Sequence, residues 1–214
     1  HQKLRKESEI QAAIAFQNHL YNHQVPVCKP IESSNHLWVE SFQQDSNIFL
    51  AHVCQEVPGK AITFQHNNQN LYYQWGKILG QFHQSSKQFQ IGNHSYTSWN
   101  QSMDELYEYV KNEPDILKAK LDQVFHFFSH REIHNNNFGL THGDHREGNV
   151  ITNEKAISII DFDLPSMHWF TEDIIRPFFQ SIIYDNDSWK SFFSNYLKGY
   201  HHSNPSCDLD HHVF

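Results

Sequence analysis

The stretch GLTHGDHREGNV, residues 139–150, is followed after a short gap by ISIIDFD, residues 157–163. Asp144 and Asn149 lie five residues apart in a loop flanked by glycines, and Asp161 ends an apolar, β-branched run that predicts a strand. This arrangement brings three oxygen ligands to one edge of a small β element. This stretch constrains the fold more than any other part of the chain, because the fold must place these three side chains at the edge of the same β element.

The residue types in this stretch suit the chemistry of phosphoryl transfer. Mg²⁺ prefers carboxylate and amide oxygens and fills its remaining positions with water and substrate phosphates. A free carboxylate beside such a site accepts a proton from an attacking hydroxyl or orients it. Asp, Asn and Gly alone are typical of turns, but the loop, the five-residue spacing and the strand-terminal Asp161 together match the catalytic and metal loops of protein kinases.

Charge and hydropathy exclude several classes of protein. The 214 residues carry a formal net charge of -8 and no long Lys/Arg run, so the electrostatic footprint of a nucleic-acid binder is absent. No apolar run approaches the roughly 20 residues that a membrane span requires. The three cysteines, Cys28, Cys54 and Cys207, are few and widely separated, which favours free thiols in a reducing compartment. We predict a cytoplasmic protein with no nucleic-acid or membrane partner.

The 18 histidines suggest a metal site, but their pattern does not support one. They are scattered among equally abundant Asn and Gln, and no Cys/His set has zinc-ligand spacing. Compositional drift explains them better than a structural zinc site.

Hydrophobic periodicity predicts helices and strands in a definite order. A helix is expected over residues 8–20, followed by a hairpin whose strands, in HLWVESF and SNIFLAHVCQEV, are split by QQDSN. Pro58 and Gly59 then break the pattern. A helical run over 71–84 follows, in which Gly76 and Gly80 lie one turn apart and predict close packing against a neighbour.

The rest of the chain reads mainly as helix. SMDELYEYV and DILKAKLDQVFHFFSH begin with the predicted N-caps Ser102 and Asp115, and two further helical segments cover 171–183 and 188–200. Strands and one helix come first and helices dominate afterwards, so we predict an α+β fold in two lobes with a boundary near Pro58.

At this point the sequence resembles a known family. HGDHREGN followed by IIDFD resembles the HGDxxxxN and IDF(D/E) signature of the aminoglycoside phosphotransferase and choline kinase-like family. VPVCKPI, VCQEVPGK, WGKILGQFHQ and HWFTEDI also resemble family segments, so the resemblance covers essentially the whole chain. It implies a bilobal protein-kinase-like fold. Residues 1–57 would be an incomplete nucleotide-binding N-lobe, a helix plus a β-hairpin, with the hinge, and 58–214 a mainly helical C-lobe.

The resemblance also implies an activity and its residues. The protein would be a kinase that uses ATP and Mg²⁺ to phosphorylate a hydroxyl of a small molecule, such as an amino alcohol, an amino acid, a sugar or an aminoglycoside. Asp144 would be the catalytic base or would orient the hydroxyl, and Asn149 and Asp161 would bind the metal. His142 and Asp173 would brace the loop.

Three further sets of residues are predicted, and the first and the last of them follow from the resemblance. The backbone carbonyl of Gln55 and the N–H of Val57 would bind the adenine edge, with Cys54 at the back of the pocket. His145, Arg146 and Glu147 would form only the solvated face of the catalytic loop. Aromatic and acidic residues after the metal loop would form an acceptor pocket for a cationic hydroxyl compound, although aromatics more commonly fill a core. These pocket residues are Asp163, His168, Trp169 and Glu172.

The family's glycine-rich phosphate loop and strand lysine are not found in the sequence. All eight glycines follow the first lobe's strands. The abrupt first and last segments suggest an incomplete chain, and we expect a longer protein. One alternative is a nucleotide-binding pseudokinase or regulatory module that has lost these elements. Another is a hydrolase that uses His142, His145 and Asp144 around a transition metal, which would need further His ligands at fixed spacing.

Overall fold

The computed structural model describes residues 5–63, 68–153, 156–184 and 189–209. Two 3-10 turns, Glu147–Asn149 and Arg176–Phe178, accompany the helices and strands. The helices are α1 Glu7–Asn22, α2 Gln69–Ser86, α3 Trp99–Val110, α4 Asp115–Ser129, α5 Phe170–Ile175, α6 Phe179–Tyr184 and α7 Trp189–Ser203. The strands are β1 Pro30–Ile31, β2 Glu40–Gln44, β3 Asn47–Ala51, β4 Val53–Cys54, β5 Lys60–Ala61, β6 Thr97–Ser98, β7 Phe138–Thr141, β8 Val150–Thr152, β9 Ile157–Ile159 and β10 Ser166–Trp169.

The strands pair in four small sheets, and the order of elements confirms the predicted α+β class. The sheets are β1-β4, β2-β3, β6-β10-β7 and β5-β8-β9. β2 and β3 form the predicted hairpin, in which Phe42 lies opposite Phe49 and their rings stack at 5.3 Å. Asp45 turns the chain with a φ of 55°, a left-handed conformation that Asp tolerates better than most residues.

Glycines bring α2 and α7 into backbone contact, which confirms the predicted close packing at Gly76 and Gly80. A Cβ at Gly76 would lie 1.9 Å from the Tyr196 carbonyl oxygen, and one at Gly80 would lie 2.4 Å from the Tyr200 carbonyl oxygen. A Cβ at Gly199 of α7 would lie 1.9 Å from the Tyr73 carbonyl oxygen of α2. Only glycine permits this separation, so these residues set the distance between the two helices.

The predicted N-cap of α3 is wrong by four residues and that of α4 by one. α3 begins at Trp99, and its cap is Ser98, whose N–H donates to Gln101 Oε1 over 2.9 Å. Ser102 therefore lies within the helix. α4 begins at Asp115 after Pro114, so Asp115 is the first helical residue and its charge faces the positive end of the helix dipole instead of capping it.

The largest hydrophobic core contains residues from both sides of the predicted lobe boundary. Phe16 of α1 packs edge-on against Phe82 of α2 with ring centroids 5.4 Å apart, and both side chains are fully buried. The segment after α1 also pairs with β9, since the Cys28 N–H donates to the Ile159 carbonyl and the Ile159 N–H donates to Pro26. The strand that precedes Asp161 is thereby joined to the first part of the chain. The division at residue 57 remains a prediction.

Among the described residues, no helix is both long and apolar enough to cross a bilayer.

Candidate active site

Strand pairing brings the polar loop and the strand-terminal aspartate together. β8 and β9 are antiparallel, with Val150 opposite Ile159, so the residue before β8 lies beside the residues that follow β9. The Ile160 N–H donates to the Asn149 carbonyl over 3.0 Å. The loop that ends at Asn149 and the segment that contains Asp161 therefore form one edge.

Asp144 is held on several sides but keeps part of its carboxylate open. Its Oδ2 accepts hydrogen bonds from Asn149 Nδ2 and Arg146 Nε, each over 2.9 Å. Nη1 of Arg176 lies 3.7 Å from Oδ1. The side chain remains 25% exposed, so a carboxylate of fixed orientation faces a region that a small molecule can reach.

Asn149 presents its amide oxygen because its amide nitrogen is already used. Nδ2 donates to the Asp144 backbone carbonyl over 2.8 Å as well as to the carboxylate. The residue is only 4% exposed, so these bonds fix the orientation of the amide, and Oδ1 is the atom that could bind a ligand. Asp161 is exposed and has a φ of 67°, which is unusual for a residue other than glycine and typical of functional turns.

His142 links the loop to the segment before Asp161. One ring nitrogen, Nδ1, accepts from the Asp144 N–H over 3.3 Å, and Nε2 donates to the Ile160 carbonyl over 2.9 Å. Burial lowers the pKa of His142, which favours the neutral ring that this donor and acceptor arrangement requires. These two contacts connect the loop to the segment before Asp161, and the role of His142 as a brace remains a prediction.

Asp173 ties the start of the loop to the core. Its Oδ2 accepts from the His142 N–H over 2.6 Å, and Oδ1 accepts from the Gly143 N–H over 3.0 Å. Nε2 of His83 lies 3.1 Å from Oδ2. Burial opposes ionisation of this fully buried carboxyl, but the hydrogen bond from His83 and the neighbouring histidines hold its pKa below the usual range.

His145 is buried, which corrects the expectation that it forms part of the solvated face. The ring is fully buried, and Trp75 Nε1 donates to its Nε2 over 2.8 Å. Burial lowers the pKa of His145 to about 3. Arg146, by contrast, is exposed as expected. No local pattern indicates the burial of His145, because its partner Trp75 lies seventy residues away in the chain.

A cavity of about 460 Å³ contains the predicted hinge and the acidic pair after β9. Cys54, Gln55 and Val57 form one side, and Asp161 and Asp163 form another. Among the described residues, neither the Gln55 carbonyl nor the Val57 N–H has a hydrogen-bond partner, so both remain free to bind a ligand. A larger concavity, of about 1160 Å³, is lined by residues from α2, β5 and β8, away from Asp144.

The residues predicted for the acceptor pocket do not all face solvent. Asp163 is exposed and lies 3.2 Å from Arg5 Nη1. Trp169 is only 1% exposed and stacks on Phe128 at 4.9 Å, so it is a core residue and the prediction that it lines a pocket is wrong. His168 accepts the Trp169 N–H at Nδ1, and burial lowers its pKa to about 4.

Glu172 is linked to the loop through Arg176, a residue that sequence reasoning missed. Arg176 bonds to Glu172 Oε1 and also approaches Asp144. Oε2 of Glu172 is buried without a hydrogen-bond partner, and burial raises the pKa of this carboxyl to about 8. The four-residue spacing of Glu172 and Arg176 on a helix was the available signal.

No group of three or more His, Cys, Asp or Glu side chains that could hold a metal occurs within the described ranges. The transition-metal hydrolase alternative therefore gains no ligand set from these residues.

Comparison with known proteins gives a consistent result. A sequence profile of the phosphotransferase enzyme family, APH, matches residues 1–209. Amicoumacin kinase from Bacillus subtilis (strain 168) is 24% identical over 219 residues, which covers 94% of this chain and 63% of that protein.

Solved structures show the same fold. An amicoumacin kinase in complex with AMP-PNP, Ca²⁺ and Ami has a TM-score of 0.86 and 26% identity, over 97% of this chain and 65% of that one. A microcompartment-associated aminopropanol kinase has a TM-score of 0.72 and 17% identity, over 99% of this chain and 69% of that one. The predicted protein-kinase-like fold is confirmed. The chain spans slightly less than two thirds of the length of both amicoumacin kinases.

Proposed function

Because this chain belongs to the APH phosphotransferase enzyme family, we propose that the protein is a kinase that transfers the γ-phosphate of ATP to a hydroxyl of a small molecule. The observation that carries the proposal is the contact between Asn149 Nδ2 and Asp144 Oδ2. It joins the proposed base and a proposed metal ligand in one fixed unit.

Asp144 performs the acid–base part of the reaction. Its partly exposed carboxylate accepts a hydrogen bond from the acceptor hydroxyl and directs the oxygen toward the phosphorus. As the new O–P bond forms and ADP leaves, the hydroxyl proton passes to Asp144. His142 and Asp173 keep the loop in place through their bonds to its backbone.

The donor set at this edge fits Mg²⁺. Asn149 Oδ1 and the Asp161 carboxylate would hold the ion, and both are hard oxygen ligands. When bound, Mg²⁺ neutralises charge on the nucleotide phosphates. Two protein ligands leave positions for phosphate oxygens and water, which is the usual pattern for magnesium nucleotides.

The free Gln55 carbonyl and Val57 N–H bind the adenine edge, because they offer one acceptor and one donor in the cavity that also contains Asp161. This geometry supports the placing of the nucleotide between the hinge and the segment after β9.

The acceptor is a hydroxyl compound that also carries an amine. Asp163 lines the cavity and is 56% exposed although it lies 3.2 Å from Arg5 Nη1, so a cation in the acceptor would compete with Arg5 for this carboxylate. One structural relative is an aminopropanol kinase, whose named substrate has both an amine and a hydroxyl. Asp163 is therefore the residue that distinguishes an amino alcohol from a neutral alcohol or sugar.

The test is Mg²⁺-dependent release of ADP by the full-length protein with aminopropanol, amicoumacin and glucose as acceptors. Asp144→Asn and Asp161→Asn should each lower kcat by about 10²–10⁴-fold. Glu147→Gln is the matched control, because it removes a carboxylate from the same loop without touching Asp144. Turnover that neither active-site change affects would contradict the proposal.

The same measurements address the regulatory-module alternative. A protein that binds an ATP analogue but turns over none of the acceptors would support a nucleotide-binding module instead of a kinase. Calorimetric titration with AMP-PNP and Mg²⁺ separates the two outcomes.

A further inference from the structure

Two cysteines, one in the segment before β1 and one in β4, line the cavity beside the hinge. Gln17 Nε2 lies 2.9 Å from Cys28 Sγ and 3.4 Å from Cys54 Sγ, so one amide group contacts both sulfurs. Cys28 is buried, while Cys54 is partly exposed, and both line the cavity together with His52. The partly exposed sulfur is the one that a reagent in the cavity meets first.

Backbone pairing explains why the two thiols lie on the same side. Cys54 pairs with Pro30 in the β1-β4 ladder, and the Gln55 N–H donates to the Lys29 carbonyl over 2.8 Å. Because alternate residues of an extended segment face the same side, Cys28 lies on the face that Pro30 shares with Cys54. The two cysteines are diagonal neighbours, within reach of each other's side chains.

The two thiols are chemically different. The hydrogen bond with Cys28 is the main cause that lowers the pKa of the Cys54 thiol to about 4, burial opposes it, and hydrogen bonds with His52 and Gln17 add to it. Cys54 is the thiol that reacts first, because its side chain is partly exposed in the cavity while Cys28 is buried.

We propose that Cys54 is a modification site for small disulfides and that Cys28 is its resolving thiol, so that exposure to such a disulfide converts the pair into a Cys28–Cys54 disulfide in the cavity wall. This inference rests on the proposed function in one respect only, namely that the cavity is the nucleotide pocket. The thiol chemistry itself depends on the contacts among Gln17, Cys28 and Cys54.

The reaction proceeds by two exchanges. First, the Cys54 thiolate attacks one sulfur of the external disulfide, a mixed disulfide forms, and the other half leaves as a thiolate that takes up a proton. Second, Cys28 loses its proton and attacks the Cys54 sulfur, and the remaining half leaves as a thiol. One external disulfide is reduced to two thiols, and the two cysteines are oxidised to one disulfide.

Oxidised glutathione is the probe, applied to the full-length protein and followed by intact mass and peptide mapping. The wild type should end as a Cys28–Cys54 disulfide with no glutathione retained. Cys28→Ser should retain one glutathione on Cys54, because no resolving thiol remains. Cys207→Ser is the control and should behave as the wild type, since Cys207 lies elsewhere, beside Tyr200.

A measurement without substitutions guards against variants that fail to fold. In the wild type, brief treatment with iodoacetamide should label Cys54 about tenfold faster than Cys207. Equal rates at the two cysteines, or glutathione that stays on Cys54 of the wild type, would overturn the proposal.

A further arm separates this proposal from the proposed function. AMP-PNP with Mg²⁺ should slow labelling of Cys54 at least severalfold, because the nucleotide covers the hinge side of the cavity. Fast labelling of Cys54 that AMP-PNP does not slow would still support the thiol pair and would contradict the placing of the nucleotide.

Discussion

Arg176 Nη1 lies 3.7 Å from Asp144 Oδ1, while the same guanidinium is bonded to Glu172. One guanidinium therefore lies against two carboxyl groups, one on α5 and one on the polar loop. Arg146 contacts the same aspartate from the solvent side, with 54% of its side chain exposed. Arg146 thus contacts Asp144 from a more exposed position than Arg176 does. Substitution of the two arginines should therefore lower stability by different amounts.

Arg176→Gln should lower the free energy of unfolding by about 1–3 kcal/mol. The change removes the hydrogen bonds and the positive charge that Arg176 supplies to the largely buried Glu172 carboxyl group, but the guanidinium is itself 39% exposed, so water offsets part of the loss. Arg146→Gln is the matched control and should cost less than about 1 kcal/mol. Urea unfolding of both variants measures the difference, and equal losses would mean that Arg176 acts only as a surface charge.

The arrangement of Asp144, Asn149 and Asp161 could be predicted because it is local in sequence. A polar loop that leads into the first strand of an antiparallel hairpin lies beside the residues that follow the second strand, whatever the rest of the chain does. The spacing therefore determined which residues share the edge. It did not determine their contacts, such as the bond from Asn149 Nδ2 to Asp144 Oδ2.

Contacts that are distant in sequence could not be predicted. Gly76 indicated that a neighbour approaches α2, but nothing in the sequence identified the Tyr196 carbonyl as that neighbour. His145 lies between two charged residues in the sequence, yet its ring is buried and accepts a hydrogen bond from Trp75. The position of Trp169 could not be predicted, because aromatic residues occur in both cores and pockets. The structure shows that it packs in the core against Phe128.

Gly76→Ala should destabilise the fold by about 3 kcal/mol or more. The added methyl would lie 1.9 Å from a backbone carbonyl oxygen of α7, so the two helices would have to separate. Gly148→Ala is the control, since its nearest neighbour is the end of the flexible Arg146 side chain at 3.3 Å. Thermal unfolding should show a large decrease in Tm for the first variant and a small one for the second. Similar Tm values would argue against direct contact of the two helices.

His145 should make stability depend on pH in the acidic range. Its folded pKa, about 3, is below the unfolded value near 6.5, so between these values the unfolded chain binds a proton that the folded chain does not. Stability is therefore full above pH 6.5 and falls as pH decreases, by at most about 1.4 kcal/mol per pH unit from this group. His145→Gln should reduce the slope of unfolding free energy against pH between 4 and 6.

The control for that experiment is His36→Gln, because the His36 side chain is 89% exposed. This variant should keep the slope of the wild type. If His145→Gln also kept it, the burial of a neutral His145 would be contradicted.

Asp173→Asn should be the most damaging of the single polar changes. The carboxylate is fully buried and accepts the N–H groups of His142 and Gly143 and a hydrogen bond from His83. An amide has one acceptor atom in place of two, and its NH₂ group would face a backbone donor, so one N–H at the start of the loop would be left unpaired in the core.

We expect this substitution to cost about 3–5 kcal/mol of unfolding free energy, the range found when one partner of a buried charged network is removed. Asp208→Asn, at a site 70% exposed, is the matched control and should cost under about 1 kcal/mol. Hydrogen exchange adds a local measurement, since the amide protons of His142 and Gly143 should lose protection in Asp173→Asn. Unchanged protection at these two amides would show that the loop is held by His142 and Ile160 alone and that Asp173 is not required to position it.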